Sequence, residues 1–518
     1  MYLNKKLKSI IALLFVLSFL TGICFSAEKE IIILHTNDIH GNVFSMFDKN
    51  VGEKGDNIGG LAHVATKICE MHKKYPGKII LVDAGDISQG TPVSNVFYGA
   101  PVTEFMNHVK YDAATFGNHE FDWNIERMRE QVDKRNFPMI CANLVYKSNG
   151  KTPEYMKPYI ILEKNGLKIG LIGVITPETP RMSFPKNTEP FKFLDPAQSI
   201  EKYRKELNKK GVKVIGVVSH IGYEEDRIIA KKLKGISFIV GGHSHTFVTK
   251  PEAVNGVPVL QGGCWGKNLG FAKLIFDDKT GQLVSWNAEL LPIISKDIPK
   301  DVKLDEILNS YNDQVKDRMA EVIGTLSADI SHSLPASGKI ADTAVGKLMT
   351  DILKEVTGAD VAVHNTHGLR ASMTKGDITR ESVFKVLPFD NNVITYDIKG
   401  TDMKKFIEYY VDRPSYTQLA GVSLDYDSDR ADGDRCLNIK IGGQPIDPSK
   451  TYKIASIDYL HSVSQDNELL KNAANVVYGL NMRDEVEKYI EQVKDIKVPE
   501  SVRINVLKNP PSSSKQRH

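Results

Sequence analysis

Five short apolar runs, at residues 31–34, 79–82, 167–174, 212–218 and 236–240, constrain this chain more than any other feature of its sequence. They are rich in Ile and Val and too short for buried helices, so they read as strands covered on both faces, the interior positions of sheets flanked by helices. Amphipathic segments alternate with them from Glu30 to about Ser295, the pattern of an α/β domain. With 518 residues and a hydrophobic content of 41%, the chain has material for more than one core. A second α/β region is expected over 325–507, with helices near Ala344–Thr357 and 403–411 and strands at Val361–His364 and 452–456. Between the two, Val302, Leu304, Ile307, Leu308, Tyr311, Val315, Met319 and Val322 recur at mostly three- and four-residue steps, which predicts an amphipathic linker helix over 298–324.

The N-terminus has the three-part form of an export signal: Lys5, Lys6 and Lys8, an apolar run over 10–20, and small residues near Ser26. That apolar core is shorter than the ~20 residues a spanning helix needs. Cleavage after Ser26 places Cys24 and Ser26 at the two positions that must be small. Residues 1–26 are therefore expected to be removed, leaving a periplasmic or secreted protein with no membrane span; a lipid anchor on Cys24 is the lesser alternative, because bulky Ile23 precedes it. The chain ends without an apolar stretch, so no glycolipid anchor is expected, and 508–518 read as a disordered polar tail.

Losing the three signal lysines from 67 basic residues balances the 64 acidic ones. A neutral mature chain argues against a polymeric nucleic acid as ligand, since such binding is carried by a basic surface, whereas a small anion needs only local cations. Cys69, Cys141, Cys264 and Cys436 are widely spaced without a C-x-x-C pair, which excludes a zinc ribbon and leaves disulfides admissible but their pairing unreadable. Oligomeric state is not legible.

Polar clusters follow the strand-like or apolar runs, where open α/β sheets present functional groups. They are Thr36-Asn37-Asp38-Ile39-His40-Gly41, Asp83-Ala84-Gly85-Asp86, Gly117-Asn118-His119-Glu120-Phe121-Asp122, Ser219-His220 and Gly241-Gly242-His243-Ser244-His245. Imidazoles, carboxylates and one amide oxygen suit borderline divalent metals such as zinc, manganese, iron or cobalt, and the absence of cysteine disfavours a thiolate site. Two such ions close together can hold both an activated water and a phosphate oxygen, so no serine or cysteine nucleophile is required.

Together and in this order, the clusters resemble the calcineurin-like metallophosphoesterases, specifically the 5′-nucleotidase branch, over nearly the whole mature chain. The resemblance implies an α/β protein with an N-terminal metallophosphoesterase β-sandwich flanked by helices (28–297), the linker helix, and a C-terminal α/β substrate-binding domain (325–507). It implies two divalent metal ions, one held by Asp38, His40 and His245, the other by Asn118, His220 and His243, with Asp86 bridging through one carboxylate oxygen for each. His119 and Asp122 would be the catalytic dyad. The implied activity is release of phosphate from nucleotides; the alternatives are hydrolysis of another small anionic ester (a cyclic nucleotide, a nucleotide sugar, a non-nucleotide phosphate or a thiosulfo ester) or a non-catalytic binding role.

For the substrate, the segment from Asn365 to Arg370 resembles the Asn-Gly-Gly-Gly-Ile-Arg block of the branch, which makes Asn365 and Arg370 expected contacts, with His367 at a position that is usually glycine. Arg370 offers a fixed fork of donors to phosphate or carboxylate. Lys339 falls near a substrate-facing arginine of the branch, and Tyr416 fits one of two rings that sandwich the base. The second ring is expected from a Gly-Gly-Asp-Gly-aromatic motif, but the corresponding stretch, Ser464-Gln465-Asp466-Asn467-Glu468, has no aromatic residue.

Overall fold

The computed structural model describes residues 27–508 except 52–53, 184, 334–341, 413–417, 465–466, 472 and 500–501. The expected signal at 1–26 and the tail beyond Lys508 lie outside the described residues, as do Lys339 and Tyr416.

All five apolar runs are interior strands. A first sheet has the order Leu283–Pro292, Asn268–Asp277, Glu28–Thr36, Ile79–Asp83, Ala113–Thr115, Met139–Ile140, and its last four strands are parallel. A second sheet runs Ala253–Val254, Val257–Gln261, Phe238–Gly241, Val214–His220, Leu167–Ile175, Tyr159–Lys164, with the middle four parallel. The two sheets stack. Ile31, Ile33, Ile80 and Val82 of one meet Ile169, Leu171, Val214, Val218, Phe238 and Val240 of the other in one core.

Alternate residues on the same strands face outward into helix-covered cores, which is why apolar residues stand on both faces of these runs. Ile32, Leu34, Ile79 and Leu81 pack under helices Leu61–Lys74, Ala100–Val109 and Ile125–Lys134. Ile172, Val174, Ile215, Val217 and Ile239 pack under Pro196–Lys209 and Tyr223–Lys232. The fold class matches the expectation: a β-sandwich between helices, followed by a second α/β unit.

The linker helix is shorter than its spacing predicts, Val302–Ala320 rather than 298–324. Asp301 caps its start by accepting the Leu304 N–H, and Leu304, Leu308 and Val315 pack into the first domain's core. Val322–Leu326 is a strand, paired with Gly376–Thr379 and Asp495–Ile496. The chain leaves the helix at Glu321, whose carboxylate and carbonyl both accept from Arg380, so that Ile323 can enter the second core. Val322, 52% exposed, matched the helical spacing by coincidence.

The second unit holds a single core around a five-stranded sheet ordered Gln418–Ala420, Val361–His364, Thr451–Ile457, Asn392–Lys399, Ala474–Asn481. Helices Ala344–Thr357, Gly400–Val411 and Met482–Val493 contribute to that core. A four-stranded sheet closes it with Ile504–Lys508, so Lys508 belongs to a strand rather than to the tail.

Candidate metal centre

Every expected ligand sits at the carboxyl end of a parallel strand. Asp38 and His40 follow Glu28–Thr36, Asp86 follows Ile79–Asp83, Asn118 follows Ala113–Thr115, His220 ends Val214–His220, and His243 and His245 follow Phe238–Gly241. Because the two sheets stack with these ends together, loops far apart in sequence meet at one edge of the sandwich. Asp38, His40, Asp86, His243 and His245 have positive φ, between 49° and 77°, a conformation that costs non-glycine residues roughly 1–3 kcal/mol each and collects at functional sites. At Gly117 a Cβ would lie 2.2 Å from Asp86 Oδ1, so only glycine lets that loop pass.

Six of the seven expected ligands form two groups with donor atoms within 4.8 Å of one another: Asp38, His40 and His245, and Asp86, His220 and His243. In the first, His40 Nδ1 donates to the Gln89 carbonyl, which leaves Nε2 as a lone pair 3.1 Å from His245 Nε2; Asp38 Oδ1 is 3.4 Å from the same His245 atom. In the second, His220 Nδ1 donates to the Ala84 carbonyl, and Nε2 lies 3.1 Å from Asp86 Oδ2 and 3.3 Å from Asn118 Oδ1. Such outer hydrogen bonds set the tautomer in which Nε2 can ligate.

Asp86 Oδ2 stands between the groups, 3.1 Å from His220 Nε2 and 3.7 Å from His40 Nε2. Its Oδ1 accepts the His119 backbone N–H at 2.9 Å. Oδ2 is thus the Asp86 oxygen nearest to an imidazole of each group. Burial disfavours charge throughout, yet Asp38 outweighs it and raises His245 to about 10, and Asp86 raises His220 to about 9. Burial pushes His40 down to about 3 and His243 down to about 4. Buried carboxylates facing convergent imidazole nitrogens fit divalent metal ions, whose binding would displace the protons that Asp38 and Asp86 draw onto His245 and His220.

His119 is in neither group. Its Nδ1 is 2.6 Å from Asp122 Oδ2, and although burial opposes protonation, the Asp122 and Asp86 carboxylates raise its pKa. The second domain reaches this point. Phe389 stacks on His119 with centroids 5.6 Å apart, and the Arg370 guanidinium lies 6.0 Å from the Phe389 centroid. Burial lowers the pKa of Arg370 while Asp86, Asp122 and Asp38 act to raise it, which places its charge against the metal-side carboxylates. Gln89 and Asn95 both donate to the Pro388 carbonyl and pin the loop. Asn365 is 7% exposed with an Oδ1 that lacks a hydrogen-bond partner.

Three residues without a role in the sequence reading organise these loops. Asn37 donates to Asp38 Oδ2 and the Gly263 carbonyl while accepting from Gly262 N–H. Gln261 donates to the Gly242 carbonyl and accepts from Thr246 N–H and the Ser244 hydroxyl. Glu120 joins the loops of Asp86 and Asn118. Asn37 and Glu120 stand inside the quoted clusters, the one signal that could have found them; Gln261 has none. Tyr459, ahead of the stretch searched for a second ring, donates from its hydroxyl to the Arg181 carbonyl across the domain boundary. Cys69, Cys141, Cys264 and Cys436 are unpaired.

Two family models match the chain: calcineurin-like phosphoesterase over residues 31–247 and 5′-nucleotidase, C-terminal domain, over 322–469. A snake venom 5′-nucleotidase from Crotalus adamanteus is 31% identical over 492 residues, covering 85% of this chain and 82% of that one. Protein UshA from Yersinia enterocolitica is 30% identical over 501 residues, covering 86% and 88%. Among solved structures, a 5′-nucleotidase precursor from Thermus thermophilus superposes with TM-score 0.81 at 29% identity, covering 93% of this chain and 100% of that one. The sulfate thiohydrolase SoxB of Thermus thermophilus shares the fold, with TM-score 0.73 at 17% identity over 92% of this chain and 96% of its own.

Proposed function

The chain belongs to the 5′-nucleotidase family of metal-dependent phosphoric ester hydrolases, and from that premise we propose that it is an exported enzyme that releases phosphate from nucleotides. The observation that carries this reading is the convergence, at one sandwich edge, of two Asp/His groups, the Asp86 carboxylate between them, the His119–Asp122 pair, and Arg370 from the second domain. Asp38, His40 and His245 would hold one ion, and Asn118, His220 and His243 the other. When bound, two divalent ions supply Lewis-acid activation of water and neutralise a phosphate oxygen.

The chain's own residues do the rest. His119, with Nδ1–H donated to Asp122, presents Nε2 to the reacting phosphoryl group, where a protonated imidazole stabilises charge or hands a proton to the leaving oxygen. Arg370 neutralises a further phosphate oxygen in a bidentate geometry. The Phe389 ring, stacked on His119, fixes the plane of the imidazole. Asn365, Lys339 and Tyr416 bind the remainder of the nucleotide, and Tyr459, at the start of helix Asp458–Val463, is an aromatic ring of the same domain suited to base stacking. Residues 1–26 direct export; among the described residues no helix is long and apolar enough to cross a membrane.

The test is phosphate release by protein stripped of metal and reconstituted with manganese, zinc or cobalt, assayed on 5′-nucleotides and on simple phosphomonoesters. Metal-dependent turnover with a clear preference for nucleotides is expected. Equal activity on both classes would overturn base recognition, and no activity with any metal would overturn the hydrolase reading.

A further inference from the structure

Glu120 is 7% exposed and makes no contact that an acid or base in the reaction would need, yet both its oxygens are engaged. Oε2 accepts the backbone N–H of Asp86 at 3.0 Å and of Gly117 at 2.6 Å, and Oε1 accepts that of Ile87 at 2.8 Å. These donors lie on separate loops, one after strand Ile79–Asp83 and one after Ala113–Thr115. One carboxylate thereby ties the loop of the bridging aspartate to the loop of Asn118 and His119. Two of these bonds hold the loop in which Asp86 takes a left-handed backbone, against the strain which that conformation carries. Asp86 has φ 54°.

A carboxylate buried this deeply requires a counter-charge. Burial and the Asp86 charge raise the pKa of Glu120, and the Arg135 guanidinium, 8% exposed, acts the other way. Glu120, Arg135 and Ser88 line a cavity of about 10 Å³, room for one water molecule, and Arg135 Nε and Ser88 Oγ have no protein hydrogen-bond partner. Glu120 thus supports the backbone of Asp86 and Gly117, and Arg135 lines the same small cavity.

We propose that Glu120 is the positioning residue of the two-metal centre, setting the separation of Asp86 from Asn118 through the backbone hydrogen bonds it accepts from both loops, and with it the affinity for the ion pair. It acts through the Asp86 backbone and touches neither substrate nor reacting atoms. The inference rests on the metal assignment above.

The test is calorimetric titration of the full-length chain, after chelation, with Mn²⁺ and separately Co²⁺, alongside thermal denaturation. Wild type is expected to bind two ions. Glu120→Gln turns an amide N–H against the backbone donors and is expected to weaken metal binding roughly 10–100-fold, as loss of an outer-shell partner does elsewhere. Glu120→Asp keeps the carboxylate but is one methylene too short to reach both loops; it should fold, bind metal more weakly, and recover kcat when the metal concentration is raised. Wild-type affinity for both ions in Glu120→Asp, with any loss confined to thermal stability, would overturn the inference and leave Glu120 a structural prop. Failure of wild type to bind two ions would instead overturn the metal assignment, and this inference with it.

Discussion

The His119 imidazole commits one nitrogen to Asp122 at 2.6 Å and stays outside both metal groups, which separates proton handling from ligation in a site crowded with histidines. His119→Ala is therefore expected to lower kcat by about 10²–10⁴-fold, the usual scale for a general acid or base, with two metals per chain retained in elemental analysis. Loss of metal in that variant would make His119 a ligand instead. A second residue-scale consequence comes from Asp226, 1% exposed, neither of whose oxygens has a hydrogen-bond partner. Burial pushes its pKa from the usual 3.8 up to about 7, an effect the nearby Ser219 hydroxyl offsets only in part. Because the folded state holds this proton more tightly than the unfolded chain, its contribution to stability is full below about pH 4 and is lost as pH rises through about 7. Asp226→Asn should flatten that part of the stability profile; thermal denaturation at a series of pH values checks it, and an unchanged slope would show that Asp226 does not carry it. At this scale the candidate ligands were legible as residue types, because metal chemistry restricts which side chains can serve. The left-handed backbone at five of the seven ligands and the orienting Gln261 were not, because they follow from which loops meet.

The linker helix Val302–Ala320 is anchored at both ends by ionic groups. At its start, Asp301 accepts the Leu304 N–H through Oδ1 at 3.0 Å and pairs with His108 through Oδ2 at 3.0 Å. Asp301→Ala removes the cap and is expected to cost about 1 kcal/mol, read as a lower denaturation midpoint with metal sites intact. At its end, Arg380 reaches Glu321, Glu487 and Glu491 together and fastens the helix terminus to the second domain. Periodicity announced this helix, but its spacing could not show where it stops. The stop depends on Arg380, 59 residues from Glu321 in sequence, and on the pairing that draws Val322–Leu326 into a sheet.

Over the whole molecule, the two domains meet at the chemistry: Gln89 and Asn95 hold the Pro388 carbonyl, Phe389 covers His119, and Tyr459 bonds the Arg181 carbonyl. Metal held by these residues would link the strand ends of two sheets, so chelation is expected to destabilise the first domain. An ion at a thousand times its dissociation constant contributes about 4 kcal/mol, and the melting temperature should fall on chelation and recover when Mn²⁺ is restored. The same melting temperature with and without metal would argue that the ligand loops are held by protein contacts alone. What the sequence by itself determined is five interior strands of the first domain, the two-domain order and the kinds of candidate ligand, because burial on both faces demands runs rich in Ile and Val, and divalent ions demand imidazole and carboxylate. What only the tertiary structure decided is the assembly of those ligands: which oxygen of Asp86 faces both groups, how Glu120 and Asn37 tie the loops, and how Arg370 and Phe389 arrive from the other domain. Local pattern records the periodicity of burial along one segment, whereas a site of this kind is made of distances between segments, and those are fixed only when two sheets stack.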